Sequence, residues 1–244
     1  MKQFMEKIKE RKPKLVCLLI VEAVLLGVIF YYLVPGKRPD HAFKFFITMF
    51  LVMIPMAFEL LLSLKSVLPL FCFATVYACG HTMGSCFGLY LSCPWWDKML
   101  HFFQGGLFTL LVYYLLQKLY RSIGAKRLLN LAMAVAFSVL IAVLWEVVEY
   151  TADKTLGFDM QKDTYVNEIH SYLLGNNSGD VLTIEDIQTV SVDGQELPGY
   201  VDVGLNDTMC DLIITLAGSF LFFLYGLIDR DKHPLLQLRQ DDRS

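Results

Sequence analysis

Apolar residues fall in six long runs, at 15–34, 45–64, 67–92, 99–117, 128–150 and 209–228, broken by short polar stretches everywhere except 151–208. A helix rises about 1.5 Å per residue and the hydrocarbon core of a bilayer is about 30 Å thick, so roughly 20 apolar residues suffice to cross it. Each run meets or nearly meets that length, and together they take up about half of the 244 residues. The pattern predicts an all-α integral membrane protein, a bundle of six transmembrane helices. The first run follows a basic stretch and no small-residue cleavage site precedes Pro35, so it reads as a retained helix and not a removed signal peptide. The expected layout is a basic N-terminus at 1–14, helices 1 to 5 within 15–150, an acidic loop at 151–208, helix 6 at 209–228 and a tail at 229–244.

Composition narrows the class further. Hydrophobic residues make up 55% of the chain, charged residues only 18%, and mean hydropathy is +0.49. Disorder and nucleic-acid binding are excluded, and a net charge of −3 argues for no polyanionic partner. The placement of charge says more. With the N-terminus inside, 15 of the 21 Lys and Arg residues fall on the inner side and 6 on the outer, which predicts that both termini are cytoplasmic in a cytoplasmic (inner) membrane. Short connections make successive helices antiparallel neighbours. The long 151–208 segment carries eleven acidic residues against Lys154 and Lys162 and contains Asp193-Gly194 between β-branched runs, the signature of a tight hairpin. A small, partly β extracytoplasmic cap is expected there.

The six cysteines show no metal-binding spacing. Cys72, Cys79, Cys86 and Cys93 recur every seven residues, as small packing residues on one helical stripe do. Cys93 and Cys210 both fall near the outer face, and the sequence leaves open whether they pair. Trp95, Trp96, Tyr31, Tyr32 and Tyr150 suit an interfacial aromatic belt, and His41, His170 and His233 read as solvated.

The functional signal lies in ionisable groups bordering the apolar runs, because each costs about 2.5 to 3.5 kcal/mol at the bilayer centre and persists only with partners or water. Asp97 and His101 are four residues apart at the start of the fourth run; Glu146 and Glu149 are three apart at the end of the fifth; Asp207 and Asp211 are four apart at the start of the sixth. Each pair shares a helix face. A first-turn Asp complements the helix dipole, which accounts for Asp97 and Asp207 without function. The same argument fails for Glu146 and Glu149, since carboxylates at a helix C-terminus oppose the dipole, and it leaves His101 and Asp211 unexplained.

Further residues carry a resemblance. His81-x-x-Gly84, Trp95-x-Asp97-Lys98-x-x-His101-Phe102-x-x-Gly105, Trp145-Glu146-x-x-Glu149 and Asp207-x-x-x-Asp211 with Gly218 resemble the YjdF family of bacterial inner-membrane proteins, and Pro55, Glu59, Lys65 and Leu68-Pro69 fit the same pattern. More loosely, the Asp-Lys-x-x-His element is similar to that of VanZ-like proteins. The resemblance covers helices 2 to 6. It implies six helices and a cytoplasmic-membrane location, hints at the cell envelope, and supplies no activity.

Two function classes fit. In one, an outward-facing site uses His101, Glu146, Asp211 and Asp97 as catalytic groups for acid/base chemistry on an envelope lipid or its headgroup. Asp97, His101, Glu146, Glu149, Asp207 and Asp211 would then be the candidate ligands of a divalent cation, Mg²⁺ or Mn²⁺ by their oxygen-rich character. In the other, a transporter or accessory envelope protein uses the same carboxylates as a proton or cation site, with Glu22, Glu59 and His81 as further candidates below that level. No discontinuous pair of half-helices is visible in the sequence.

Overall fold

The computed structural model describes residues 10–62, 64–119, 127–175, 179–229 and 239–240. The readings of the basic residues before Glu10, of His233 and of most of the C-terminal tail lie outside them. The chain divides into two compact units, residues 1–139 with 215–244, and residues 140–214.

The first unit opens with α1 (Lys12–Leu33), which packs on α2 (Pro39–Leu51) and on the helix Leu68–Tyr77, with α3 (Ile54–Leu61) between them in the chain. The buried stripe of α1 runs through Arg11, Lys14, Leu18, Leu25 and Ile29, at helical spacing, while Val16, Leu19, Ile20, Val24 and Phe30 are exposed as a lipid-facing surface requires. Against that stripe pack Ala42, Phe45, Val52 and Met56, together with Phe71, Cys79 and Cys86 of the next run.

The second and third apolar runs are both interrupted. Pro55 has no N–H to offer the carbonyl of Leu51, and the backbone tightens just before it, with Met53 N donating to Phe50 O at 3.3 Å. The predicted helix 67–92 is three pieces, α4 (Leu68–Tyr77), α5 (Gly80–Cys86) and α6 (Leu89–Ser92). Cys79 N bonds Val76 O, three residues back, and Gly88 adopts the left-handed conformation at φ +69°. Gly80, Gly84 and Gly88 make this the weakest helical stretch of the chain, which is why apolar length overstated its continuity.

The unit continues with α7 (Trp96–Leu119), the first part of α8 (Arg127–Leu156) and the last part of α9 (Leu205–Asp229). Small residues let these three approach. A Cβ on Gly105 would collide with the Thr215 carbonyl oxygen and one on Gly218 with that of Phe102. Ser138 Oγ donates to Gly105 O at 3.1 Å, and Ser219 Oγ to Ser138 Oγ at 3.2 Å. A two-residue strand, β1 (Leu64–Lys65), pairs with the last described residues, Arg239 and Gln240.

Among the described residues five helices are long and apolar enough to cross a membrane: Lys12–Leu33, Pro39–Leu61 (α2 with α3), Trp96–Leu119, Arg127–Leu156 and Leu205–Ile228. None of α4, α5 or α6 reaches that length.

In the second unit, α8 runs to Leu156 and ends at Gly157 with φ +64°, six residues past the predicted end at Tyr150. Thr151 and Thr155 return their hydroxyls to the helix's own carbonyls and do not break it. The segment beyond forms three small antiparallel pairs. β2 (Thr164–Val166) pairs with β7 (Tyr200–Asp202), β3 (Ile169–Ser171) with β4 (Leu182–Ile184), and β5 (Val190–Val192) with β6 (Gln195–Leu197). The last is the expected hairpin, with Asp193 at φ 50° and Gly194 at φ 80° as its turn. Asp202 Oδ2 accepts the Asn206 N–H at 2.7 Å and caps the start of α9.

All six cysteines, Cys93 and Cys210 among them, are free thiols. One smaller reading is corrected. His41 is buried, its ring 5.0 Å from that of Tyr32, because it sits on the inner stripe of α2 and not on the loop before it. His170 is exposed, as read from the sequence.

Candidate functional site

The first unit holds the first of the three pairs. Asp97 lies in the opening turn of α7, where its charge complements the dipole, and His101 follows one turn later with its ring buried. His101 Nε2 is 3.9 Å from Asp97 Oδ1, and Lys98 Nζ is 3.5 Å from Asp97 Oδ2. The backbone around them is pinned from two sides. Tyr77 OH donates to Leu100 O at 3.0 Å, and Thr215 Oγ1 donates to His101 O at 3.2 Å. Trp96 Nε1 donates to Gly80 O at 3.2 Å, so the segmented third run supports the start of α7. A carboxylate beside an imidazole is the arrangement of an acid/base pair or of a metal ligand with an acidic neighbour.

The second unit holds the other four groups. Glu149 Oε1 accepts the indole N–H of Trp145 at 2.8 Å, one turn away on α8. Asp207 lies in the first turn of α9, where its Oδ2 accepts Lys162 N at 3.2 Å with Lys162 Nζ 4.0 Å away. Gln161 Nε2 donates to Thr208 Oγ1 at 2.5 Å, and Asp153 accepts the N–H groups of Met160 and Gln161 at 2.7 and 2.9 Å. The loop after α8 is thereby tied to the start of α9. Because α8 continues to Leu156, Glu146 and Glu149 stand well inside it, and opposition to the C-terminal dipole is not what makes them unusual. Their burial is. His101, Glu146, Glu149, Asp207 and Asp211 are each at most 7% exposed.

Outside the spans, Tyr31 holds Lys37 and Asp40 holds Arg38 above their usual ranges, and Asp163 is displaced in the long loop. Slight desolvation of this otherwise exposed residue, aided by the nearby carboxylates of Asp159, Asp153 and Asp202, pushes its carboxyl above the usual aspartate range.

A second polar cluster in the first unit was not read from the sequence. Glu59, on α3, accepts Arg11 Nε at 3.2 Å and Lys14 Nζ at 2.5 Å, and its Oε1 also takes the Ser66 backbone N–H at 3.0 Å and the Ser66 hydroxyl. Arg11 further donates to Leu64 O at 2.8 Å, and Lys14 to Ser66 O at 2.6 Å. The signal was present but faint. Arg11 and Lys14 continue the i, i+3/i+4 stripe of Leu18 and Leu25, so two of the basic residues counted on the inner side belong to the packed face of α1.

A family model described as "Predicted membrane protein (DUF2238)" matches residues 16–232, including the first helix and the long loop that the motif resemblance leaves out. This is the YjdF family of the sequence reading. No curated protein and no solved structure matches the chain.

Proposed function

Because the chain belongs to the DUF2238 family of predicted membrane proteins, we propose that it is a six-span protein of the cytoplasmic membrane with both termini in the cytoplasm, α4 to α6 together making the third crossing. In this reading Asp97, His101, Glu146, Glu149, Asp207 and Asp211 serve one extracytoplasmic site, with acid/base or Mg²⁺- or Mn²⁺-assisted chemistry on an envelope lipid or its headgroup. The observation that carries it is the burial of five of these six ionisable groups on helices that are otherwise apolar. Hydrocarbon tolerates such groups only when partners, water or a cation compensate them. His101 would act as the proton carrier oriented by Asp97, and Glu146 and Asp211 as the acidic groups that hold a cation or share a proton.

The test is a Mn²⁺ titration of the full-length protein in detergent, followed by electron paramagnetic resonance of free Mn²⁺. Saturable uptake that weakens about tenfold or more in each of His101→Gln, Glu146→Gln and Asp211→Asn supports one shared site, since loss of a ligand or its orienting partner costs that order of affinity. Uptake unchanged by all three, or no uptake, overturns the metal reading. The interruptions before Pro55 and at Cys79 favour the second reading, a transporter or accessory protein, because broken helices are where membrane proteins build ion sites.

A further inference from the structure

Glu22 stands in the middle of α1, ten residues from Lys12 and eleven from Leu33. It falls on the inward stripe between Leu18 and Leu25, and its Oε2 is buried with no hydrogen-bond partner among the described residues. The elements facing it can be aligned from the polar cluster at one end of the helix. Lys14 and Arg11 bond Glu59, and Ser66 bonds the same carboxylate, so α1, α3 and the start of α4 share that level. Measured from there at about 1.5 Å per residue, Glu22 is about 12 Å from Lys14, Val52 about 10 Å from Glu59, and Ala78 about 15 Å from Leu68. The two helix interruptions, at Val52–Met53 and at Ala78–Cys79, therefore lie within about one turn of the height of Glu22. Cys79 packs in the same apolar cluster as Leu18 and Leu25, the stripe residues on either side of Glu22.

We propose that Glu22, half-buried on the packed face of α1, is a proton-binding site set where both facing helices are interrupted, and that its carboxyl exchanges that proton with water. The groups that face it leave little else to balance its charge. On α1 the nearest titratable neighbours are Cys17 and Lys14, and Lys14 is already bound to Glu59. On α2 and α3 they are His41 and Lys44, toward the far end, and Glu59, toward the near one; on α4 and α5 they are Cys72, Tyr77, Cys79 and His81. Among the described residues Glu22 makes no ion pair. An unpaired carboxylate in hydrocarbon is costly, so the site is occupied either by a proton or by a small cation. The packing favours the proton. Leu18, Leu25, Val52 and Cys79 surround the stripe with apolar groups and a thiol, whereas a cation needs several oxygen ligands. The inference is independent of the His101 and carboxylate site and needs only a membrane-embedded first unit.

The test uses the full-length protein in detergent micelles and a hydrophobic carbodiimide, with adducts located by mass spectrometry. The reagent takes up the acid's proton on nitrogen as its carbon bonds to the carboxyl oxygen, so only the protonated acid reacts. The expected result is an adduct at Glu22 that forms about tenfold more slowly per pH unit once the acid is mostly ionised. Its rate should not change when sodium or potassium is added at fixed pH. Glu22→Gln, close to isosteric, should lose the adduct while keeping the melting temperature of the parent. Absence of an adduct at Glu22, a rate independent of pH, or protection by sodium at constant pH would overturn the proposal, the last in favour of a cation site.

Discussion

At the scale of single residues, the described packing rests on positions where one atom decides the outcome. Gly105 and Gly218 bring α7 and α9 together backbone to backbone, and any added Cβ meets a carbonyl oxygen, which cannot move aside as a side chain end can. Gly105→Ala should therefore destabilise the protein by about 1 to 3 kcal/mol, the cost of overpacking a filled interface. A lowered midpoint in thermal unfolding of the detergent-solubilised protein would register it, with Gly27→Ala, which meets nothing within 4 Å, as the neutral comparison. The Glu59 cluster makes a second residue-level prediction. Its carboxylate is 3% exposed and faces two cations, so Glu59→Gln leaves Arg11 and Lys14 buried without their counter-charge. Removing one partner of a buried ion pair typically costs about 3 to 5 kcal/mol. Exchange of Arg11 and Lys14 for apolar residues in the same variant should recover much of that loss, and a thermal midpoint for the triple variant no higher than for Glu59→Gln would refute the ion-pair account.

At the scale of elements, the sequence made the long apolar helices and the Asp193-Gly194 hairpin legible, because hydropathy length and left-handed turn residues are local signals. It misplaced continuity. The 67–92 run has the composition of a span, yet three glycines spaced by four remove the helix preference that apolar length presumes, and the chain divides there. It also ended α8 too early, since Thr151 to Leu156 are polar enough to read as loop but satisfy their hydroxyls within the helix. The loop that follows carries a pH dependence whose sign can be worked out. The folded carboxyl of Asp163 titrates above its unfolded value, so its ionised form is penalised in the folded loop. That penalty is present in full above the raised folded value and is relieved as pH falls through it toward the ordinary aspartate value of about 3.9. Amides of β2 and β7 should exchange more slowly at mildly acidic pH, after correction for intrinsic rates. Because Asp163 is exposed, the effect should stay below about 1 kcal/mol. Asp163→Asn should remove this dependence, and a variant with the parent's pH profile would refute the assignment to Asp163.

At the scale of the whole molecule, sequence spacing placed Asp97 beside His101 correctly, because four residues on one helix fix their own geometry. It did not place Arg11 and Lys14 on Glu59, a contact between residues more than forty apart whose only trace is the register of a stripe. The same distinction bears on topology. Orientation follows from where lysines and arginines accumulate, and burying Arg11 and Lys14 in a neutralising cluster removes two of them from the inner count without reversing the 15 to 6 bias. The expectation is thus robust to the correction: the 151–208 loop faces away from the cytoplasm and the C-terminus faces it. Ser191, exposed on β5, gives a direct readout. In intact cells of a bacterial host, Ser191→Cys should react with a membrane-impermeant maleimide well above the level of the parent chain, whose own cysteines are buried or half-buried. A fluorescent protein that matures only in the cytoplasm, fused after Ser244, should fluoresce. Labelling of Ser191→Cys only after the cells are opened would invert the topology, and with it move the loop, Asp207 and the start of α9 to the cytoplasmic side.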